Sequence, residues 1–318
     1  TMEGFKVSPI SRRIAFTSVL AISAFSLQAC GDSSDSSGGP AIRFAAVPAE
    51  SSDSLMADYE ALTKLIEKET GRDVEFQNAS DYAAVIEGMR AGQIDVASFG
   101  PFSYVIAKDT GVELEPAASG TDEEGDAPSY TSLAYVKSDN NDIANLDDLK
   151  GHTVCFVDQA STSGYLVPMK GMMDAGLDVE SDIEPVMAGG HDASILSLAS
   201  GDCDVAFAHD SMVETLTKSG QIKDGDVKSI WESDPITEDP IAVNYGTLDR
   251  ETGEKIIEAI RTKANKPALV DAGICSSEDE CVLPEELGWG YVEVDDSDFD
   301  SIREICETTD AEACRNVG

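Results

Sequence analysis

The chain has 318 residues and a mass of 33.7 kDa, enough for about two domains. Apolar residues make up 42% of it and charged residues 26%, as in globular proteins with a buried core. Acidic residues number 61 and basic residues 22, so the formal net charge is −39. A field of that sign repels nucleic acid and anionic lipid, so the composition excludes a general polyanion-binding surface.

The first forty residues are predicted to lie outside the folded part. Two arginines precede the apolar stretch 14–27, which is too short for a comfortable membrane span. It runs into Leu-Gln-Ala-Cys, a pattern that resembles the lipobox of bacterial lipoproteins, in which the cysteine carries lipid. We therefore predict a signal peptide over 1–30, lipidation of Cys30 and a flexible Ser/Gly-rich tether over 31–40, with an ordinary secretory leader as the alternative.

From residue 42 onward, short β-rich runs alternate with helical patterns, which predicts an α/β fold. The first set comprises strand 42–47, helix 54–70, strand 74–77, helix 81–91 and strand 94–99. The second set comprises strands 130–136, 153–158, 183–187, 203–208 and 227–232, helices at about 164–175 and 191–200, a return strand 241–245 and a helix from 249 to about 264. The acidic, cysteine-rich tail from 275 onward has no predicted position.

The sequence contains a short internal repeat. Residues 82–97 align without a gap on 191–206, with six of sixteen positions identical, and each copy predicts a helix, a glycine and a strand that begins Asp-Val-Ala. Two similar α/β domains that face each other would produce this pattern, and coincidence is the alternative. In facing domains, the N-termini of the two helices would present Tyr82 and His191 to the same cleft.

Seven cysteines are present, and six remain after Cys30, which is typical of structural disulfides in an exported protein. Six cysteines allow fifteen pairings. Local spacing favours Cys275–Cys281 and Cys306–Cys314, which leaves Cys155–Cys203 on two predicted strands of one domain. A zinc site is the alternative, although zinc thiolates usually come in closely spaced pairs.

A hydroxyl-rich turn, Ser161-Thr162-Ser163-Gly164, joins a predicted strand to a predicted helix. One helix N-cap needs a single hydroxyl, so three in succession exceed what capping requires. Free N–H groups and hydroxyls at a helix start form a site for an anion, which the helix dipole favours. His191, which follows two glycines, is interpreted as a further donor that is charged when protonated. Simple capping is the alternative for both segments.

Four motifs follow one another along the chain: DYAAVIEGM at 81–89, STSG at 161–164, GHD at 190–192 and DPI at 239–241. Their sequences and spacing resemble those of the phosphate-, phosphite- and phosphonate-binding proteins of ABC importers. The resemblance runs over about residues 42–250 and does not include the cysteine-bearing tail. It implies a two-lobed periplasmic-binding-protein fold of type II, with a hinge and a cleft between two α/β domains.

The resemblance also implies the division of the chain and the ligand-binding residues. Lobe 1 would comprise 41–131 and 240–318, and lobe 2 would comprise 132–239. The hinge candidates are 127–134 and 233–243. Hydroxyl donors from lobe 1 would be Tyr82 and Tyr130, and lobe 2 would contribute Ser161, Thr162, Ser163 and His191.

Two acidic residues complete the implied site. Asp239 matches a family carboxylate at the hinge side, and its alternative role is a turn residue before Pro240. A carboxylate beside an anion is expected only if the ligand carries a proton, as phosphate, phosphite and phosphonates do and sulfate at neutral pH does not. Relatives that bind aminoalkylphosphonates carry an acidic residue for the amine after the Asp-Val-Ala strand, and Asp210 is the candidate here, with Ser211 as the alternative at that position.

The expected protein is a lipid-anchored monomer at the outer face of the cytoplasmic membrane or in the periplasm. It would close on a small phosphorus oxyanion and deliver it to the permease and ATPase complex of an ABC transporter. No catalytic residue, cofactor, metal or nucleic-acid partner is expected, and the membrane is contacted only through the anchor. The alternatives are another small anion or an organic solute, a signalling receptor with the same site, and a secreted serine hydrolase that uses Ser161 or Ser163 with His191. The chain has no Gly-x-Ser-x-Gly, P-loop or HExxH motif.

Overall fold

The computed structural model describes residues 39–50 and 52–315. The predicted signal peptide, the lipidation site at Cys30 and almost all of the predicted tether lie outside these described residues. Within the described ranges, no helix combines the length and the apolar character that crossing a membrane requires.

Strands and helices alternate along the described chain. The strands are β1 Ile42–Ala46, β2 Val74–Gln77, β3 Val96–Ser98, β4 Leu114–Thr121, β5 Ser129–Tyr130, β6 Ser132–Lys137, β7 Thr153–Phe156, β8 Glu184–Met187, β9 Val205–His209, β10 Val227–Glu232, β11 Ile236–Thr237, β12 Pro240–Asn244 and β13 Gly290–Glu293. The α-helices are α1 Ser52–Asp58, α2 Glu60–Thr70, α3 Tyr82–Arg90, α4 Pro101–Asp109, α5 Val167–Asp174, α6 His191–Ser200, α7 Met212–Lys218, α8 Arg250–Lys263, α9 Lys266–Asp271, α10 Asp300–Thr309 and α11 Glu312–Arg315.

Two mixed sheets organise the chain. The larger has the order β13-β4-β12-β3-β1-β2, and the smaller has the order β10-β6-β9-β7-β8. In the larger sheet β1 runs parallel to β2 and β3, and β12 runs antiparallel to β3. The smaller sheet repeats this arrangement, with β7 parallel to β8 and β9 and with β6 antiparallel to β9. We call the elements around the larger sheet lobe 1 and those around the smaller sheet lobe 2.

The internal repeat has a structural cause. In lobe 1 the carboxylate of Asp95 accepts a hydrogen bond of 2.8 Å from the backbone N–H of Arg43 on the neighbouring strand β1. In lobe 2 the carboxylate of Asp204 accepts one of 3.1 Å from the N–H of Thr153 at the start of β7. The repeated Asp-Val-Ala therefore fixes the same strand pairing in both lobes, because each aspartate satisfies a backbone donor that the ladder leaves free.

The chain crosses between the sheets at two adjacent segments. Strands β5 and β11 pair antiparallel there, with Tyr130 opposite Ile236, and the N–H of Glu238 donates to the carbonyl of Pro128 at 3.2 Å. Both segments overlap the predicted hinge ranges. A ligand-binding cleft that opens by rotation needs such a narrow double connection, because few backbone torsions then have to change.

Helix α2 shows how the sequence specifies the core of lobe 1. Leu62, Leu65 and Ile66 lie at helical spacing on its inner face and are fully buried. The helix ends at Gly71, whose φ of 67° lies in the left-handed region where glycine is favoured. The structure divides the single predicted helix 54–70 into α1 and α2, with the break at Tyr59.

The cysteine-rich tail belongs to both lobes. Strand β13 pairs antiparallel with β4 and extends the larger sheet, whereas α10 packs against α4 of lobe 1 and α5 of lobe 2 through the buried Ile302. The residues beyond 299 therefore contact lobe 2 as well as lobe 1. Disulfides join Cys155 to Cys203, Cys275 to Cys281 and Cys306 to Cys314, which is the pairing that the spacing favours.

Candidate functional site

The hydroxyl-rich turn follows β7 and opens as a short π-helix, Thr162–Leu166. Ser161 caps it, because its side-chain oxygen accepts a hydrogen bond of 3.1 Å from the N–H of Gly164. A Cβ atom at Gly164 would lie 2.2 Å from a methyl carbon of Val157, so only glycine permits this close packing. Capping occupies Ser161 alone, and the side chains of Thr162 and Ser163 are buried beside it.

His191 is the first residue of α6 and is buried. The backbone N–H of His209 donates to its Nδ1 at 3.1 Å, so Nδ1 is unprotonated and Nε2 carries the proton. Burial, aided by His209, holds the pKa of His191 well below its usual range. The ring is therefore neutral and presents Nε2–H as its donor, 3.4 Å from the hydroxyl oxygen of Ser161.

Tyr82 and Tyr130 reach the same place from lobe 1 and the hinge. Tyr82 begins α3, whose N-cap Asp81 accepts a hydrogen bond of 2.7 Å from the N–H of Ala84. Both tyrosine side chains are buried. Burial raises the pKa of each well above its usual value, and the nearby carboxyl of Asp239 raises it further. Both phenols therefore keep their protons and can act as hydrogen-bond donors.

Three carboxyl groups meet at one side of the cleft. Oxygens of Glu238, Asp239 and Glu285 lie within 4.8 Å of one another. Burial, followed by the charge of Glu285, raises the pKa of Asp239 well above its usual value. Burial also raises the pKa of Glu285 to about 7. Two carboxyls so close cannot both ionise cheaply, so each also raises the cost of ionising the other. The carboxyl oxygens of these three residues are the ligands in this site that could hold a cation.

The sequence analysis did not identify two of the cleft residues. Glu285 comes from the tail, outside the four motifs, on a backbone with φ of 56°. His209 ends β9 and is buried, and its Nε2 has no hydrogen-bond partner among the described residues. Burial lowers the pKa of His209 to about 4, so this ring is neutral. The available signal was its position at the end of the strand that begins Asp-Val-Ala, but the sequence there favoured the next residue, Asp210.

The cleft that these residues form is small. Its empty space is about 260 Å³, a volume that includes space open to solvent. None of the described residues that line it is a lysine or an arginine. The lining residues are Ala49, Tyr82, Gly100, Tyr130, Ser161, Thr162, Ser163, His191, His209, Asp239 and Glu285. The cleft therefore offers uncharged donors on one side and carboxyl groups on the other.

Both lobes contact each other at the edge of the cleft. The N–H of His191 in lobe 2 donates to the carbonyl of Ala49 in lobe 1 at 2.8 Å. In the opposite direction, the N–H of Phe102 at the start of α4 donates to the hydroxyl oxygen of Thr162 at 2.9 Å. The described conformation is therefore a closed one, in which two hydrogen bonds join the lobes beside the cleft.

Asp210 is the one predicted site residue that the structure does not bring into the cleft. Its side chain is exposed and accepts hydrogen bonds from the N–H and the hydroxyl of Thr131, at 2.9 and 3.1 Å. These bonds fix the hinge strand beside β9 and turn the carboxylate away from the lining residues. Ser211, the alternative, lies within 2.9 Å of Nδ1 of His209 and also does not line the cleft.

Comparison with known proteins decides the family. A family model described as the periplasmic substrate-binding protein of a phosphonate ABC transporter matches residues 44–299. The chain belongs to this family. It is 42% identical over 282 residues to the phosphate-import protein PhnD of Mycolicibacterium smegmatis, covering 86% of this chain and 87% of that protein. It is 30% identical over 280 residues to the phosphonates-binding periplasmic protein of Escherichia coli, covering 87% and 77%.

Solved structures agree with the family assignment. A binding-protein component of an ABC phosphonate transporter from Pseudomonas aeruginosa has a TM-score of 0.74 and 27% identity, over 85% of this chain and 87% of that one. PhnD1 of Prochlorococcus marinus, in complex with methylphosphonate, has a TM-score of 0.73 over 85% and 98%, and its 18% identity indicates the fold alone. The predicted two-lobed type II fold is confirmed. This chain is a substrate-binding protein of an ABC importer.

The local chemistry of this binding protein also argues against the hydrolase alternative. A serine nucleophile needs a histidine whose nearer nitrogen can accept its proton. Here the Nε2 of His191 faces Ser161 but already carries a proton, because Nδ1 accepts from a backbone N–H instead of donating to a carboxylate. This pair is arranged to donate hydrogen bonds to a bound ligand.

Proposed function

We propose that this binding protein captures a protonated phosphorus oxyanion, namely phosphate, phosphite or a small phosphonate, and delivers it to its permease. One observation carries the proposal: uncharged donors converge on a space that also contains two neighbouring carboxyl groups, those of Asp239 and Glu285. The donors suit phosphoryl oxygens, whereas the carboxyl pair needs a partner with a hydrogen to donate. A phosphorus oxyanion that retains a P–OH group satisfies both sides, and the names of the relatives accord with this class.

The strength of the donors is sufficient for such a ligand. A hydrogen bond to a charged group contributes about 1.5–3 kcal/mol, and a micromolar complex requires about 8 kcal/mol. The hydroxyls of Tyr82, Tyr130 and Ser163, the ring Nε2–H of His191 and the backbone N–H groups of the turn are about six donors, which supply roughly 9–18 kcal/mol before ordering costs. Lysine and arginine side chains are therefore unnecessary, and their absence from the described lining keeps the site from retaining every anion.

Calorimetric titration of the purified, oxidised protein tests the proposal. Phosphate, phosphite, methylphosphonate and 2-aminoethylphosphonate are titrated separately, and at least one binds at micromolar concentration or below. Tyr82→Phe removes one donor and weakens that binding by about 10- to 100-fold. Tyr245→Phe is the matched control, because its hydroxyl is buried outside the cleft. Lack of binding to all four ligands, or equal effects of the two substitutions, would contradict the proposal.

The proposal also includes the lipid anchor, the monomeric state and the extracytoplasmic position. The lipobox-like pattern before Cys30 supports the anchor, and the three disulfides support an oxidising compartment. Detergent-phase partition of the native protein is expected to be lost in Cys30→Ser. Partition that does not depend on Cys30 would reject lipidation at this residue, and light scattering reports the oligomeric state in the same preparation.

A further inference from the structure

Residues 282–288, which we call the tail loop, bring an acidic residue into the cleft from outside the family motifs. Leu283 and Leu287 are buried in the core of lobe 1, and the N–H of Gly288 donates to the carboxylate of Asp122 at 2.8 Å. A Cβ at Gly120 would lie 2.5 Å from Leu287, so the absence of a side chain there makes room for the loop. The loop is therefore built into lobe 1 at both of its ends.

Between those anchors the backbone turns so that neighbouring glutamates face different partners. Glu285 and Glu286 both have positive φ, 56° and 58°, a conformation that is unfavourable for residues other than glycine. Glu285 lines the cleft beside Asp239, whereas the exposed Glu286 forms an ion pair with Lys218 on α7 of lobe 2. The chain thus tolerates two strained residues to place one carboxyl inside the cleft and the next outside it.

Hydrogen-bond donors and carboxyl groups lie on different sides of the cleft, so they would contact different parts of a ligand. Lobe 2 supplies donors from the turn and from His191, which suit three oxygens of a tetrahedral ion. With three oxygens held there, the fourth substituent would face Asp239, at the hinge side, and Glu285 of lobe 1. The buried Nε2 of His209, which has no partner among the described residues, marks a further place in the same cleft for a polar ligand atom.

We propose that Glu285 is a specificity-determining residue that selects phosphate over phosphonates and phosphite. Its carboxylate accepts a hydrogen bond from the P–OH group at the fourth position, where a phosphonate has carbon and phosphite has hydrogen. A phosphonate or phosphite has only three oxygens, so either its carbon or hydrogen faces Glu285, or its P–OH does and one donor of the cleft is left without an acceptor. Burial raises the pKa of Glu285 to about 7, so its carboxyl group can accept a hydrogen bond once it is ionised. This inference rests on the proposed function.

Calorimetry with three ligands separates hydrogen bonding from size. Sites built to bind a hydroxyl reject analogues without it by large factors, so the wild-type protein is expected to bind phosphate at least about 100-fold more tightly than methylphosphonate and phosphite. Phosphite is smaller than phosphate, so its rejection cannot be steric. Glu285→Ala and Glu285→Gln are expected to reduce both ratios to below about 10, mainly through weaker phosphate binding. Thermal unfolding checks that each variant is folded.

Glu286→Gln is the matched control, because it changes the adjacent glutamate of the same loop outside the cleft. It is expected to leave both ratios unchanged. The inference is overturned if Glu285 variants keep the wild-type ratios, if wild-type protein binds phosphite as tightly as phosphate, or if EDTA abolishes phosphate binding, since a cation would then face the carboxyls. Lack of binding to any phosphorus oxyanion by wild-type protein would instead reject the proposed function.

Discussion

Glu50, next to the cleft-edge residue Ala49, illustrates how the acidic composition acts at the level of one residue. Burial, followed by the charges of Asp58, Asp192 and Glu286, raises the pKa of Glu50 from 4.5 to about 7. An acid whose pKa is raised by folding binds more protons in the native state than in the unfolded state. Its stabilising contribution is therefore complete below about pH 4.5 and is lost as the pH rises through about 7.

This linkage predicts the effect of Glu50→Gln. The substitution removes a carboxylate that is costly to ionise, so the melting temperature above pH 7 should rise by about 2–4 °C relative to wild type. Near pH 4.5 the difference should be small, because Glu50 is then neutral in the native state and only half ionised in the unfolded state. Differential scanning fluorimetry from pH 4.5 to 8 measures the difference, with the exposed Glu307→Gln as control. A shift of equal size at all pH values would contradict the linkage.

Most cleft residues could be found from the sequence because they lie in local motifs. The three hydroxyls at 161–163 and His191 follow directly from a strand-to-helix turn and a helix start, and the structure gathers them with Tyr82, Tyr130 and Asp239. Glu285 could not be found in this way, since it lies in an acidic segment of a chain with 61 acidic residues. Only the pairing of β13 with β4 brings that segment back to the cleft.

At the level of elements, helix α4 and strand β4 were missed for the same physical reason. Helix α4 is buried along almost its whole length, so its sequence PFSYVIAKD has no polar face to reveal a helical period. Strand β4 reads LEPAASGT, which contains the proline, glycine and serine that usually mark turns. Tertiary contacts on both faces override these local preferences, whereas α2 and α3 have one clear apolar face and were predicted.

The disulfide before the tail loop gives a prediction at this scale. Cys275–Cys281 lies directly before residues 282–288, whose strained backbone holds Glu285 in the cleft. Cys275→Ser combined with Cys281→Ser should loosen the loop and weaken phosphate binding by about tenfold, which corresponds to ~1.4 kcal/mol. Calorimetry measures the change while circular dichroism confirms the fold.

The second tail disulfide is the matched control for that experiment. Cys306–Cys314 joins α10 to α11 and lies outside the lining of the cleft. Replacing both of these cysteines by serine should leave phosphate affinity unchanged. If the two double variants weakened binding equally, the effect would come from general destabilisation of the tail and not from the position of Glu285.

At the scale of the whole molecule, the net charge of −39 must be reconciled with capture of an anion. Physiological salt screens exposed charges beyond about 8 Å, so most of the surface acidity acts only weakly inside the cleft. In the proposed function the ligand is instead held by the short-range donors of the cleft, which come from both lobes. The carboxyl pair adds a chemical requirement for a proton on the ligand, which the overall charge could not supply.

Comparison of phosphate with sulfate tests the central claim most directly. The two ions have the same tetrahedral shape, but at pH 7 only phosphate carries a proton to donate to the pair Asp239 and Glu285. Calorimetric titration of the wild-type protein at pH 7 is expected to give micromolar or tighter binding of phosphate and at least about 100-fold weaker binding of sulfate. Sulfate binding as tight as that of phosphate would show that the cleft recognises charge and shape alone, and would contradict the account.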